Sequence, residues 1–387
     1  MASADLRPGE KAPMDLLLPK GTRLLHIGPH KTGTTSLQGA FHKNRDRLAE
    51  HGVHYAGKGR QPRAAAAAVT LERVLDGFSA SSAADWPALV KEVASSDADR
   101  VVISSETFAN AAPEVAATVI EAFGPQTHVV ITLRPLVKLL PSQWQQFVQA
   151  GSTIAYADWL ETIFDDDDTS RRSRRFWRRH RHDALAARWA DAAGTDNVTV
   201  VVLDESDRRM NFAVFERLVG LPQGFLVTDE MSNRSLSLPE VELMREVNRQ
   251  YKEMGWPPDL YARVFRYGVD HYLKKRPLPA DEPRVETPAW AVERANAVAT
   301  EMIESLGCSG VRIVGDLAHL RSDQDAPEAI SELKETTPEI AARAVIGVLG
   351  QRESWTDPTS GSAVSSAALL RTVAARAKSR ATQRFRR

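Results

Sequence analysis

The chain has 387 residues, of which 43% are hydrophobic and 26% charged, and its 50 basic residues are matched by 50 acidic ones. These are the proportions of a soluble globular protein, long enough for one large α/β domain with elaborations or for two domains. Balanced charge excludes a global pull toward nucleic acid, so a charged partner must be sought in local clusters. Cys308 is the sole cysteine, which excludes an internal disulfide and fits a reducing cytoplasm. The apolar run from Met14 to Leu18 is broken by Asp15 and stopped by Pro19, too short for a signal peptide or a membrane span.

Arg23 to Ile27 is the first strand candidate, and it runs directly into a glycine-bearing loop. Behind the loop, Leu37, Ala40, Phe41 and Leu48 have helical spacing. Gly52 to Tyr55, Arg100 to Ser104, His128 to Leu133 and Val198 to Leu203 are further β-rich runs, separated by segments long enough for crossover helices. That alternation predicts an α/β fold with a mostly parallel central sheet. After about Leu203 the strand signal fades. The stretch from Pro239 to Gly307 reads as helices, punctuated by Trp256-Pro257-Pro258 and a proline-rich loop between Arg276 and Pro288. No internal repeat is visible.

In an open parallel sheet, anions gather where backbone N–H groups of a glycine turn and the next helix N-terminus point the same way. Gly28 to Ser36 has that address. An ATP loop reads G-x-x-x-x-G-K-[ST], with its lysine directly after the second glycine. Gly28 and Gly33 keep the spacing, but Thr34 stands in the lysine position, Lys31 has moved ahead of Gly33, and Thr35 and Ser36 follow.

A second constellation begins where Arg134 follows the strand His128 to Leu133 and Pro135 breaks it. Pro141 suits the first turn of a helix, which predicts Ser142 at a helix N-terminus with open backbone donors and a helix end near Gly151. An arginine fork, a hydroxyl and a helix N-terminus converging on one group make a phosphate site.

The stretch PHKTGTTSL resembles the 5′-phosphosulfate loop of sulfotransferases that use 3′-phosphoadenosine 5′-phosphosulfate (PAPS). The resemblance covers roughly residues 23 to 205, and the loop is closest to the carbohydrate sulfotransferase type. It implies a P-loop NTPase-like three-layer fold with a helical C-terminal elaboration. It further implies that Lys31 touches the bridging oxygen of the leaving phosphosulfate. His30, Thr32, Gly33, Thr34, Thr35 and Ser36 then line the 5′ side, while Arg134 and Ser142, eight residues apart as in that family, hold the 3′-phosphate. Cytosolic members place a tryptophan after the loop hydroxyls to stack on adenine; Ser36 stands there, which leaves the adenine platform unassigned. No metal is required by that chemistry.

Transfer to a hydroxyl or amine also wants a proton acceptor. Glu106, just beyond the strand Arg100 to Ser104, is the leading base, against the plainer readings of a capping carboxylate or a degenerate Mg²⁺ ligand. His30, His51 and His54 stay open for that role. Asn233, Arg234 and Ser235 are candidates to complete the nucleotide site. Arg171 to Arg181 carries seven arginines in eleven residues. It reads as a solvated helix or, with Arg171, Arg174, Arg178 and Arg181 on one face, as an anion-attracting rim. Beyond Asp357 no acid occurs, so the basic tail either rests on an anionic membrane surface or frays.

The expected organisation is an N-terminal extension (1–20), an α/β PAPS-binding core (21–235), a helical elaboration (236–355) and the basic tail (356–387). The expected activity is sulfuryl transfer from PAPS to a carbohydrate, glycolipid or small-molecule acceptor in the cytoplasm, releasing adenosine 3′,5′-bisphosphate (PAP), with no nucleic-acid partner and an open oligomeric state. The alternatives are an ATP-dependent small-molecule kinase and a noncatalytic nucleic-acid or membrane binder working through its arginines.

Overall fold

The computed structural model describes residues 15–70, 83–165, 167, 170–227, 234–323, 325–330, 333 and 335–354. Residues 1–14, Asn233 and the basic tail lie outside that set. The chain divides into two compact units. The first comprises Met1–Trp144, Ala155–Asn233 and Val285–Ser331, the second Gln145–Ile154, Arg234–Arg284 and Glu332–Arg387.

The first unit is built on β1 (Thr22–His26), β2 (Val53–Tyr55), β3 (Arg100–Ser104), β4 (Thr127–Leu133), β5 (Val198–Val202) and β6 (Arg312–Val314). They form one sheet in the order β2-β3-β1-β4-β5-β6, every pair parallel. The α/β fold with a parallel sheet is therefore the observed one. Strands β3, β4 and β5 are buried residue by residue, which is why they read as unbroken runs of valine and isoleucine: helices cover both faces. Alternation sends Leu24 to one side, with Leu37, Phe41 and Phe215, and Leu25 to the other, with Val129, Leu185 and Trp189. β6 was not expected, since it lies past the point where strand signals fade. It is a three-residue, half-exposed edge strand, too short to show a period.

Five helices matter below: α1 (Thr34–Lys43), α2 (Arg63–Val69), α3 (Leu136–Gln149), α4 (Arg171–His180) and α5 (His182–Ala193). Because the strands are parallel, the segments leading into α1 and α3 leave the same edge of the sheet. β3 and β4, consecutive in the chain, flank β1 on opposite sides, so the crevice opens above the end of β1.

The second unit is helical among its described residues. Its α6 (Leu238–Glu253) starts with a capping box between Ser237 and Glu240. Among the described residues no helix is long and apolar enough to cross a membrane.

Candidate functional site

The loop after β1 is tied down by its carbonyls. Thr32, fully buried, donates its hydroxyl to the Pro29 carbonyl at 2.7 Å. Arg134 Nη1 donates to the Lys31 carbonyl at 3.1 Å, and Asn211 Nδ2 to the Gly33 carbonyl at 3.4 Å. Lys31 has φ 73° and Gly33 φ 77°, so the chain passes twice through left-handed backbone, the geometry that turns N–H groups into an anion-binding concavity. Glycine adopts it freely. Lys31 does not, and it is the sole non-glycine residue with positive φ among the described residues, a strain of about 1–2 kcal/mol.

Helix α1 begins immediately after Gly33, with no side-chain cap and no acid in its first turn. Its first backbone donors and positive end therefore suit an anion. Thr35 and Ser36 are exposed on that turn, whereas Thr34, at the position of an ATP loop's lysine, is buried.

Arg134 stands on the same rim. Besides reaching the Lys31 carbonyl, its Nε donates to Glu205 Oε1 at 2.9 Å. The expected helix start at Pro141 is corrected: α3 begins at Leu136, directly after Pro135, and Pro141 lies in its interior. Leu136, Val137, Leu139 and Leu140 are all buried, so the helix pays for the lost N–H of Pro141 with core packing. Ser142 consequently sits nearly two turns inside α3 rather than at its N-terminus. Its backbone is committed to the helix, and only its half-buried hydroxyl is left for a ligand. The open N–H groups of α3 lie beside Arg134 instead.

Glu106 follows β3 as the first residue of a short 3-10 turn capped by Ser105. Both carboxyl oxygens accept amide hydrogens, Oε2 from Gln38 at 3.1 Å and Oε1 from Gln61 at 3.2 Å. Gln38 stands one turn into α1 and Gln61 just ahead of α2, so Glu106 is fixed against the helix that the anion loop starts. Gln38 also donates to Ser104, which meets the ring of His26. The sequence reading missed Gln38, Gln61, Ser104, Thr132 and His26. His26 and Ser104 close the apolar runs of β1 and β3, but nothing local to either run marks them as partners.

His30 lies in the loop among Arg179, His180, Lys31 and Arg63, and burial first, then these neighbouring bases, hold its pKa well below the usual imidazole range. It stays neutral. Of the arginine cluster, Arg174 and Arg178 are exposed, and Arg181 pairs with Asp183 and Glu301, each at 2.9 Å. The arginine that turns inward is Arg179, buried and donating to Asn110 at the end of the Glu106 turn. His51 precedes β2, at the opposite end of the sheet from the loop, and meets Phe225 edge-on at 4.9 Å. His54 lies in mid-strand with Nε2 3.0 Å from Glu92. Neither histidine is at the crevice. Arg234 belongs to the second unit, where its guanidinium donates to Glu240 at 2.7 and 2.8 Å and to backbone carbonyls of Ser235 and Arg276. Glu240 also takes Arg276 at 2.9 Å, so Arg234 serves a buried ion-pair cluster there.

No protein-family model matches the chain, and no curated protein does. Among solved structures, the crystal structure of a sulfotransferase from Alicyclobacillus acidocaldarius is similar at 17% identity and a TM-score of 0.41, over 66% of this chain and 97% of that one.

Proposed function

We propose that the chain is a PAPS-dependent sulfotransferase acting on a hydroxyl or amine of a carbohydrate, glycolipid or small-molecule acceptor. The observation that supports this reading most is the 3.1 Å hydrogen bond from Arg134 Nη1 to the Lys31 carbonyl. It brings the two elements read as anion sites, about a hundred residues apart in the sequence, onto one rim.

In this reading the loop N–H groups, with Thr35 and Ser36, hold the 5′-phosphosulfate, and Arg134, with the hydroxyl of Ser142, holds the 3′-phosphate. The acceptor oxygen attacks sulfur in line and forms the new S–O bond. The bond from sulfur to the bridging oxygen breaks, and its electron pair stays on PAP. Lys31 meets the charge that grows on that oxygen, an interaction stronger in the transition state than in the ground state. Glu106 takes the acceptor's proton.

An ATP kinase is disfavoured because the side chain at its lysine position, Thr34, is buried and because ATP has no 3′-phosphate for Arg134. Thermal shift separates the readings, since a ligand at a hundred times its Kd stabilises the fold by about 2.7 kcal/mol. PAP should raise the melting temperature with Mg-ATP and a DNA fragment giving little. A larger response to Mg-ATP would replace this reading with the kinase, and a response to DNA alone with the binder.

A further inference from the structure

His26 closes β1 with its ring buried, and its two nitrogens reach different strands. Nδ1 lies 2.8 Å from Ser104 Oγ on β3, and Nε2 lies 3.2 Å from Thr132 Oγ1 on β4. The groups beyond are engaged as well. Thr132 Oγ1 is 2.9 Å from Thr32 Oγ1 in the anion loop, and Ser104 Oγ is 3.2 Å from Gln38 Nε2, which in turn meets Glu106. A continuous polar chain therefore crosses three adjacent strands, from the loop to the carboxyl of Glu106.

Its protons can be placed one by one. A carbonyl only accepts, so Thr32 spends its single hydroxyl hydrogen on Pro29. Thr132 must then donate to Thr32, and so it accepts from Nε2–H of His26. The ring is neutral, because burial lowers its pKa to about 3, and a neutral imidazole has one N–H. Nδ1 is therefore an acceptor and takes the hydrogen of Ser104. Ser104 Oγ accepts one amide hydrogen of Gln38, and the other goes to Glu106. Reversing the chain would leave Thr32 and Thr132 facing each other 2.9 Å apart with no hydrogen between them. Tyr55 also neighbours Ser104, but its hydroxyl hydrogen goes to the Arg60 carbonyl. Were Ser104 to turn its hydrogen toward Tyr55, Nδ1 of His26 would be left without a donor.

We infer that His26 is a positioning residue, held as its Nε2–H tautomer, that locks the anion loop and Glu106 into one hydrogen-bond arrangement. The inference rests on reading loop and carboxyl as parts of one site. It gives roles to His26, Ser104, Thr132 and Gln38, none of which touches the proposed donor.

Two measurements test it, with PAP as the probe. Ring ¹⁵N NMR of His26 should show a protonated Nε2 and an unprotonated Nδ1; the opposite tautomer would overturn the proton assignment. Thr132→Val keeps the shape and removes the joint, and it should weaken PAP about five- to tenfold, the usual worth of one hydrogen bond. Thr132→Ser restores the hydroxyl and should recover most of that loss, a rescue that a purely packing role would not give. Gln38→Leu, at the far end, should weaken PAP two- to threefold by itself yet add nothing in the Thr132→Val background. Independent, multiplying losses, or PAP affinity within twofold of wild type in Thr132→Val, would refute the coupling. If the wild-type protein binds no PAP, the sulfotransferase reading falls, while the tautomer still decides whether the chain runs as described.

Discussion

Gly28→Ala is the sharpest test of how tightly the loop is packed on this chain. Gly28 does not have positive φ, so space alone decides the outcome. A Cβ there would lie 2.2 Å from Thr132 Oγ1, 2.7 Å from His26 Nε2 and 3.1 Å from Thr32 Oγ1. Thr132 is fully buried and β-branched, so it cannot swing aside without leaving its rotamer. Either the loop lifts or the hydroxyl loses His26 and Thr32. Overpacking costs about 1–3 kcal/mol and each displaced buried hydrogen bond about 1 kcal/mol more, a total of about 3–5 kcal/mol. Urea unfolding followed by the fluorescence of buried Trp144, Trp159 and Trp189 measures the loss, and PAP titration its effect on the loop. Thr132→Ala in the same chain vacates the space, so the double variant should recover about 1–2 kcal/mol relative to the sum of the singles. Strict additivity, or a Gly28→Ala protein within 0.5 kcal/mol of wild type (roughly the scatter of harmless surface changes), would show that the loop does not pack against His26 and Thr132.

Lys31→Ala should abolish sulfuryl transfer with the fold intact. Lys31→Gly should do the same while standing about 1 kcal/mol above Lys31→Ala in unfolding free energy, because glycine adopts φ 73° without strain; retained transfer, or equal stability of the two, would contradict the role or the strain. Arg134→Ala should chiefly raise the KM for PAPS, whereas Glu205→Gln, which loosens the carboxylate holding Arg134, should tighten PAP about two- to fivefold, this being a half-exposed pair worth at most about 1 kcal/mol. An unchanged KM in Arg134→Ala removes that residue from the donor site. Acid should weaken the fold because buried histidines resist taking up protons. His26 is lowered to about 3, and His128 and His182 to about 4, chiefly by burial. Their stability contribution is whole above pH 6.5 and is lost as pH falls, because the unfolded chain binds protons that the native one refuses. Three such groups give a slope of about 4 kcal/mol per pH unit between pH 6 and 5, and His30 and His180, also lowered by burial, steepen it further. A flat stability profile across that window would show that these rings protonate in place.

The strand-loop-helix unit and the place of Arg134 after a strand were legible because each rests on a local signal: an apolar run followed by glycine, and a basic residue between a strand and a proline. Where two local signals competed, the sequence reading chose wrongly. Pro135 and Pro141 are equally suited to a helix start, and the tie is settled by LVKLL between them, whose leucines and valine are all buried and so already belong to the helix. Arg179 was missed for a related reason. Its neighbours are also arginines, and what distinguishes it is the position of Asn110, sixty-nine residues away.

The polar chain through His26 shows what a single sequence withholds. His26 pairs with Ser104 on one side and Val130 on the other, and Thr132, two residues past Val130, points to the same face. Three polar residues thus crown three adjacent strands on one side of the sheet, above Leu24, Val102 and Val130 in the same cluster. Each is an unremarkable strand-end residue in its own run. They become a single device only through the register of parallel strands whose partners are far apart in sequence, and a shift of one residue would turn one of them to the opposite face. The register is fixed by burial of the aliphatic residues below. The packing of Leu24 against Val102 and Val130 therefore positions the hydroxyls and imidazole above them, and through these the loop and Glu106.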